Sequence, residues 1–304
     1  MTPPLPDFVA PMLAKVARQP FDSDRHSFEI KWDGTRALAF VEGGGYRLRN
    51  RRARDIVQTY PELELLAGLP PGLVLDGEIC VLRDGTPDFA GMLEREQGRT
   101  AQRCRELARE SPATYVVFDL LYHRGDDVMR RPLVERRALA EEVVRGCGDP
   151  RLVFSEGIVG AGIAFFEQLR QRQLEGMVAK RLDSRYRPGE RTSAWQKIKA
   201  AHRLQCAILG YLADGDDLRS LIIAAPDPDG HLQCVGRVGS GLTQAKAAEL
   251  LALLRARPRA GPLIDCGMDG AWVEPGLFCE VSYFERSATG LRAPVFESLI
   301  VEPD

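Results

Sequence analysis

Glu29-Ile30-Lys31-Trp32-Asp33-Gly34-Thr35-Arg36 is the stretch on which the fold turns. With Phe28 ahead of it, apolar Phe28, Ile30 and Trp32 alternate with polar Glu29, Lys31 and Asp33, the period-two pattern of a half-buried strand. Asp33-Gly34 is a turn dipeptide and the strand-like run resumes through Val41, which predicts a hairpin or tight bend. Lys31 then stands on the polar face just before a glycine that lets a ligand come close to the backbone. A lysine amine is a nucleophile only when neutral, a state that desolvation and neighbouring cations favour. Taken alone, a solvated hairpin lysine is the better reading.

Lysine usage draws attention to the same place. Of 41 basic residues, six are lysines, at 15, 31, 180, 197, 199 and 246, and 35 are arginines. Where positive charge suffices this chain uses arginine, so a lysine hints at a compact, titratable amine. Lys197 and Lys199, in Trp195-Gln196-Lys197-Ile198-Lys199, share a strand face with Trp195. Their amines then stand roughly 7 Å apart, as for residues two apart on a strand. The pair suits a polyphosphate and depresses a nearby lysine's pKa; an edge strand guarded by lysine fits equally. Glu78 in Asp76-Gly77-Glu78 and Glu175 in Glu175-Gly176 are carboxylates beside glycine turns, able to ligate a hard cation such as Mg²⁺. Phe118, opposite Asp119 by alternation, is core by default, although an aromatic also stacks on a nucleobase. The run Arg47, Arg49, Arg51, Arg52 and Arg54 reads as a solvated face that could also meet phosphates.

Outward from these motifs the chain divides in two. Residues 1 to about 25 are Pro-rich and predict an irregular lead-in with a short helical stretch near Met12 to Arg18. Strands are predicted at 73–82, 115–122, 176–181 and 194–200, and helices at 88–97, 132–146 and 162–173. Beyond His202 short strands alternate with Gly, Asp and Pro, at 206–212, 219–225, 231–238 and 277–284, with one helix at 243–255. That texture suits a small barrel of the OB type. Residues 1–202 carry 32 basic and 29 acidic side chains, and residues 203–304 carry 9 and 14.

The formal net charge of −2 is not that of a protein coating nucleic acid indiscriminately. No apolar run approaches the roughly 18–20 residues of a membrane span, and Met1 to Pro6 lacks the features of a secretion signal. Seven cysteines, at 80, 104, 147, 206, 234, 266 and 279, show neither metal-ligand spacing nor a paired framework. A zinc ribbon and a disulfide scaffold are excluded, and the cytoplasm is the expected location.

Order and spacing bind the pieces together. Lys31 to Arg36 as KxDGxR, the Arg51 segment, DGE at 76–78, FDLL at 118–121, EGxVxK at 175–180 and WxKxK at 195–199 resemble the signature series of ATP-dependent DNA ligases. These belong to the covalent nucleotidyltransferase superfamily, with mRNA capping enzymes and RNA ligases. Pro11-Met12-Leu13-Ala14 resembles the bacterial end-joining branch, and the likeness covers nearly the whole chain. It implies an α+β fold of two domains. An adenylation (nucleotidyltransferase) domain, ATP-grasp-like with antiparallel sheets and helices, would span 1–202, and an OB-fold β-barrel 203–304.

The resemblance also implies roles. Lys31 would be the catalytic nucleophile that carries AMP from ATP to the 5′-phosphate of a nick, and Glu78 and Glu175 would ligate Mg²⁺ or Mn²⁺. Glu29 would meet the adenine through its backbone and Phe118 would stack on it. Arg36 and Arg51 would hold ribose and phosphate, Lys197 and Lys199 would sit at the α-phosphate, and Lys180 and Glu78 would line the pocket. Nicked or broken double-stranded DNA would be the partner, with a Ku-like end-binding protein or repair polymerase by analogy, no membrane, a monomeric chain and a location at the bacterial nucleoid. The family's last block usually ends on a basic residue, yet no lysine follows Lys246 and the chain closes on Val301-Glu302-Pro303-Asp304. Arg292 or Arg286 would substitute at the triphosphate, with a slow first step. A C-terminal domain with a charge of −5 implies modest, salt-sensitive DNA affinity. An RNA ligase or capping-type enzyme, and a catalytically weak homologue that binds DNA ends, are the competing expectations.

Overall fold

The computed structural model describes residues 4–300 apart from Gln173, Ala201, Pro228, Phe284, Ala288 and Thr289. The chain forms two compact units, Met1–Ala200 and Ala201–Asp304. In the first, β1 (Leu13–Val16), β2 (Ser23–Ile30), β3 (Thr35–Glu42), β4 (Gly45–Asn50), β5 (Leu73–Arg83) and β6 (Thr86–Pro87) lead into α1 (Phe89–Gln97) and α2 (Ala101–Glu110). Then come β7 (Ala113–His123), β8 (Asp126–Asp127), α3 (Leu133–Cys147), β9 (Leu152–Phe154) and β10 (Gly157–Gly160). α4 (Gly162–Gln171), β11 (Gly176–Arg181) and β12 (Arg191–Lys199) complete it.

These strands make two sheets. One runs β1-β12-β11-β2-β10; the other runs β4-β3-β5-β7-β8, with β6 on β5 and β9 on β7. Side chains alternate along a strand, so register decides which residues meet. Val178 on β11 pairs with both Glu29 on β2 and Lys197 on β12, and Lys180 pairs with Trp195. Glu29, Val178, Lys180, Trp195 and Lys197 therefore share one face. The opposite face carries Phe28, Met177, Ala179 and Ile198, buried with Leu169 of α4. The second sheet turns Leu38, Phe40, Val74, Phe118 and Leu121 onto Met12, Tyr186 and Trp195, an apolar core that joins the two sheets. Its other face, with Ala37, Ala39, Leu75 and Val117, packs with Leu63 and Leu66 of a 3₁₀ segment and with Ala140 and Val144 of α3.

The second unit contains β13 (His202–Asp214), β14 (Asp217–Pro226), β15 (Leu232–Val238), α5 (Gln244–Arg255), β16 (Pro258–Arg259), β17 (Ala271–Val273), β18 (Phe278–Tyr283), β19 (Glu285–Ser287), β20 (Gly290–Arg292) and β21 (Val295–Ile300). Its strands pair β15-β14-β13-β18-β21, and a bridge from Ser240 to Val295 brings the segment after β15 back to β21. Leu250, Leu251 and Leu254 of α5 enter the core of this curled sheet. The result is the OB-like barrel that the short strands predict.

Of the local expectations, one fails and one resolves to one of its alternatives, and one element is not anticipated by the sequence. The helix expected near Met12 to Arg18 is β1, parallel to β12, because Glu190 and Lys197 supply carbonyls to the amides of Leu13 and Ala17. Of hairpin and tight bend at Asp33-Gly34, the bend is observed: β2 and β3 lie in different sheets and do not pair. Residues 31–34 are a crossing from one sheet to the other. The helix α2 carries no expectation from sequence; its apolar face is thin, with Cys104 and Leu107 buried among charged residues.

Gly34 makes the crossing possible. A Cβ there would lie 2.1 Å from the Ile79 carbonyl oxygen and 2.9 Å from Cys80 Sγ, so the bend lies flat on β5. Gly34→Ala is expected to lower stability by about 1–3 kcal/mol through overpacking. Gly43→Ala, whose new methyl would meet nothing within 4 Å, should stay within about 0.5 kcal/mol of the parent. Urea unfolding midpoints check this; equal midpoints for the two variants would contradict it.

Candidate active site

Between the two sheets opens a cleft of about 790 Å³. Its lining follows from the register: Glu29, Val178, Lys180, Trp195 and Lys197 from one sheet, Arg36, Glu78 and Phe118 from the other, and Lys31 and Trp32 from the crossing. Arg51 enters from the turn after β4.

Lys31 is fixed at both ends. Its amide donates to the Gly176 carbonyl at 2.9 Å, and its Nζ donates to Glu175 Oε2. The other Glu175 oxygen lies 3.9 Å from Lys199 Nζ. One carboxylate therefore connects two of the amines that the sequence picks out. Gly176, at φ +132°, leaves no room for a Cβ beside the Ile198 carbonyl, 2.1 Å away, which keeps Glu175 close to β12.

Across the cleft, burial pushes the Glu78 carboxyl up to about 8, with Asp76 and Glu175 adding to the rise and Arg36 and Lys31 opposing it. Lys197 is held below the usual lysine range by burial and then by Lys199 and Lys31. Lys180 is lowered mainly by burial, with Glu29 opposing. Its Nζ donates to Glu29 Oε2 at 2.7 Å and lies 4.1 Å from the Phe118 ring centre and 4.6 Å from that of Trp195. Charged groups gathered in a cleft with displaced pKa values mark a functional site.

Arg36 is more tightly committed. Its Nε and NH2 donate to Asp76 Oδ1 and Oδ2 at 3.0 and 2.7 Å, and NH1 donates to the Met12 carbonyl at 2.7 Å. Asp76 is wholly buried and also accepts the Tyr186 hydroxyl at 2.7 Å. Gly77 beside it would place a Cβ 2.5 Å from the Val116 carbonyl. In the sequence Asp-Gly-Glu, Asp76 anchors, Gly77 permits close packing and Glu78 faces the cleft.

Of the residues singled out from sequence, Glu29, Lys31, Arg36, Arg51, Glu78, Phe118, Lys180 and Lys197 line this one cleft. Glu175 and Lys199 join it through Lys31. Arg292 belongs to the second unit, on β20. Phe284 and residues 301–304 of the last motif block lie outside the described residues. Sequence reasoning missed Tyr186, Ser155 and the buried arginines of α3. A signal for the arginines exists: Leu133, Arg136, Arg137, Ala140 and Val144 follow the helical core spacing, and all five are buried.

Glu78 and Glu175 are hard oxygen donors near one amine, and burial raises the Glu78 carboxyl in a way that a bound cation would offset. The pair fits a divalent cation of the Mg²⁺ or Mn²⁺ type completed by waters and phosphates.

Residues 11–199 match the model of the ATP dependent DNA ligase domain, and residues 214–300 match that of the ATP dependent DNA ligase C terminal region. The chain belongs to the ATP-dependent DNA ligase family. It joins the family's adenylation domain to an OB-like C-terminal domain. The chain is 35% identical over 314 residues to the multifunctional non-homologous end joining protein LigD of Pseudomonas aeruginosa, covering 97% of this chain and 36% of that protein. It therefore spans little more than a third of that relative. With DNA ligase C of Mycobacterium tuberculosis it shares 33% identity over 275 residues, covering 87% of this chain and 73% of the relative. The crystal structure of the ligase domain from M. tuberculosis LigD superimposes with a TM-score of 0.58 at 33% identity, covering 97% of this chain and 95% of that one. A mycobacterial DNA ligase D complexed with ATP gives 0.59 at 33% identity, covering 98% and 96%.

The Glu78 carboxyl has a sign-definite consequence for stability. Its pKa is raised from 4.5 to about 8, so its contribution is full below pH 4.5 and is lost as pH rises towards 8. Without nucleotide and in a metal chelator, Glu78→Gln should gain on the parent as pH goes from 6 to 9. Each kcal/mol corresponds to about 2–4 °C in Tm. A Tm difference that does not change with pH would contradict the assignment.

Proposed function

We propose that this chain seals 5′-phosphate/3′-hydroxyl breaks in double-stranded DNA through a Lys31–AMP intermediate. The observation that supports this most is the convergence of Lys31, Glu78, Lys197 and, through its bond to Lys31, Glu175 on one cleft.

In the first step Lys31 Nζ, having given up a proton along its hydrogen bond to Glu175, attacks the α-phosphorus of ATP. A P–N bond forms, the bond to the bridging oxygen breaks, and pyrophosphate leaves. In the second, a 5′-phosphate oxygen of the DNA displaces Lys31 from the AMP phosphorus. In the third, the 3′-hydroxyl attacks that activated 5′-phosphate, closing the strand and releasing AMP. Such transfers need in-line positioning and dispersal of charge. Lys197 and Lys199 disperse it at the α-phosphate, while Arg36, from its anchored position, and Arg51, from its exposed turn, hold ribose and phosphate. Phe118 stacks on the adenine, the Glu29 backbone meets its edge and Lys180 closes that end of the pocket. Glu78 and Glu175 would hold a divalent cation, Mg²⁺ or Mn²⁺, which neutralises phosphate charge when bound. Arg292 of the C-terminal domain serves the triphosphate, with the functional boundary between residues 202 and 203.

The LigD relatives are named for non-homologous end joining. We extend that role to this chain, acting on broken DNA as a monomer in the cytoplasm at the nucleoid, with a Ku-like end-binding protein or a repair polymerase as partner.

The test is sealing of a 5′-labelled nicked duplex with ATP and Mg²⁺ or Mn²⁺. The protein should seal it, with steep loss as salt rises, and Lys31→Ala should lose at least about 10³-fold, as expected for loss of a covalent nucleophile. Glu175→Gln should lose about 10²-fold or more, as when one electrostatic group of a site is removed. No sealing of a nicked duplex by the parent, with a nicked RNA or with GTP sealing instead, would overturn the DNA ligase reading.

A further inference from the structure

Behind the cleft wall, at the end formed by Glu29, Phe118 and Lys180, lies a buried charged side chain that the proposed chemistry does not use. Arg137 on α3 is outside the cleft lining, with its side chain 10% exposed. Its NH1 lies 2.7 Å from Glu29 Oε1 and 3.4 Å from the Phe118 carbonyl, and its NH2 donates to the Ser155 carbonyl at 2.8 Å. The guanidinium lies 4.6 Å from the centre of the Phe154 ring. Glu29 Oε2 meanwhile accepts Lys180 Nζ at 2.7 Å and the Ser155 hydroxyl at 3.4 Å, and Ser155 Oγ accepts Trp32 Nε1 at 2.9 Å.

One guanidinium thus ties together β2, β7 and the segment after β9, three pieces of chain with no covalent reason to keep a fixed spacing. Glu29 is 1% exposed, and among the described residues its Oε1 has no hydrogen bond besides this ion pair. Without Arg137 that oxygen would be left buried with no donor, and the carboxylate would keep Lys180 on its other oxygen but lose its tie to α3, a costly loss inside a buried ion cluster. The neighbouring residue provides an internal contrast. Arg136 is also buried, but it donates to Asp119 Oδ1 and Oδ2 at 2.8 Å each and to the carbonyls of Arg131 and Ser184, none of which lines the cleft.

We propose that Arg137 is a positioning residue for nucleotide binding, holding Glu29 and Phe118 at the spacing that the base of ATP requires. This rests on the reading that ATP enters the cleft with its base at that end. Arg137 touches no reacting atom, so its removal weakens ATP binding and leaves the attack of Lys31 nearly intact.

Single-turnover formation of the Lys31–AMP adduct on the full chain, followed by intact mass against ATP concentration, separates these effects. Arg137→Met should raise the half-saturating ATP concentration about tenfold or more, the equivalent of 1.4 kcal/mol, while the rate at saturation changes less than about threefold. Arg137→Lys, which keeps the charge but loses the fork, should recover part of the shift; it carries the measurement if the Met variant does not fold. Arg136→Met should lower Tm but leave half-saturation within about twofold, read at a temperature where it is folded. Unshifted half-saturation in both Arg137 variants, or an equal shift in Arg136→Met, would overturn the proposal while the parent still forms its adduct. If the parent forms no adduct, the Lys31 reading fails and this proposal with it.

Discussion

The close approach of Gly34 to the backbone of β5 governs where Lys31 can stand. With 2.1 Å between a notional Cβ and the Ile79 carbonyl oxygen, the chain can leave one sheet and enter the other in four residues without bulging into the cleft. Lys31 sits at the start of that crossing, its amide held by Gly176 and its amine by Glu175. Gly176 is in turn wedged against β12. Two glycines thus set the separation of amine and carboxylate before any side-chain preference acts. A side chain at either position would move Lys31, because packed interiors do not yield by ångströms at low cost.

Around that fixed point the cleft gathers charge in an unusual density, and the protein manages it by pairing. Arg36 with Asp76, Lys180 and Arg137 with Glu29, and Arg136 with Asp119 are each largely or wholly buried. Pairs of this kind contribute little net stability against an apolar alternative, yet breaking one is expensive. Their value here is geometric: Arg36–Asp76 and Lys180–Glu29 each lock neighbouring strands of one sheet, and Arg136–Asp119 and Arg137–Glu29 tie a sheet to α3. Glu78 is the exception, a carboxyl lifted by burial that forms no ion pair among the described residues and that Arg36 and Lys31 act on only from a distance, on the side where phosphates and a cation would arrive.

Much of the site was legible in the sequence because its residues occur in short strands whose alternation is easy to follow. Trp195, Lys197 and Lys199 could be placed on one face, and so could Glu29 and Lys31, before any tertiary contact was known. Pairing between distant segments was not legible. The bend at Asp33-Gly34 carries hairpin chemistry, but β3 is flanked by β4 and β5, and β2 by β11 and β10, a choice that for β2 is made by residues over a hundred positions away. β1 was read as helix for the same reason: four residues take the conformation of the strand that supplies their hydrogen bonds. Tyr186 and Ser155 lie in loops and have no period to betray them. Arg136 and Arg137 did have one, since they occupy core positions of α3, where a charged residue implies a buried partner.

The family assignment rests on matches over both units, while the proposed chemistry depends on a single covalent bond. Intact mass of the purified protein, incubated with ATP and Mg²⁺ after treatment with pyrophosphate to remove any nucleotide already attached, reads that bond directly. A gain of one AMP, absent in Lys31→Ala and discharged by nicked duplex DNA, is the expected result. No gain with ATP, or a gain that persists in Lys31→Ala, would contradict the assignment of Lys31 as the nucleophile.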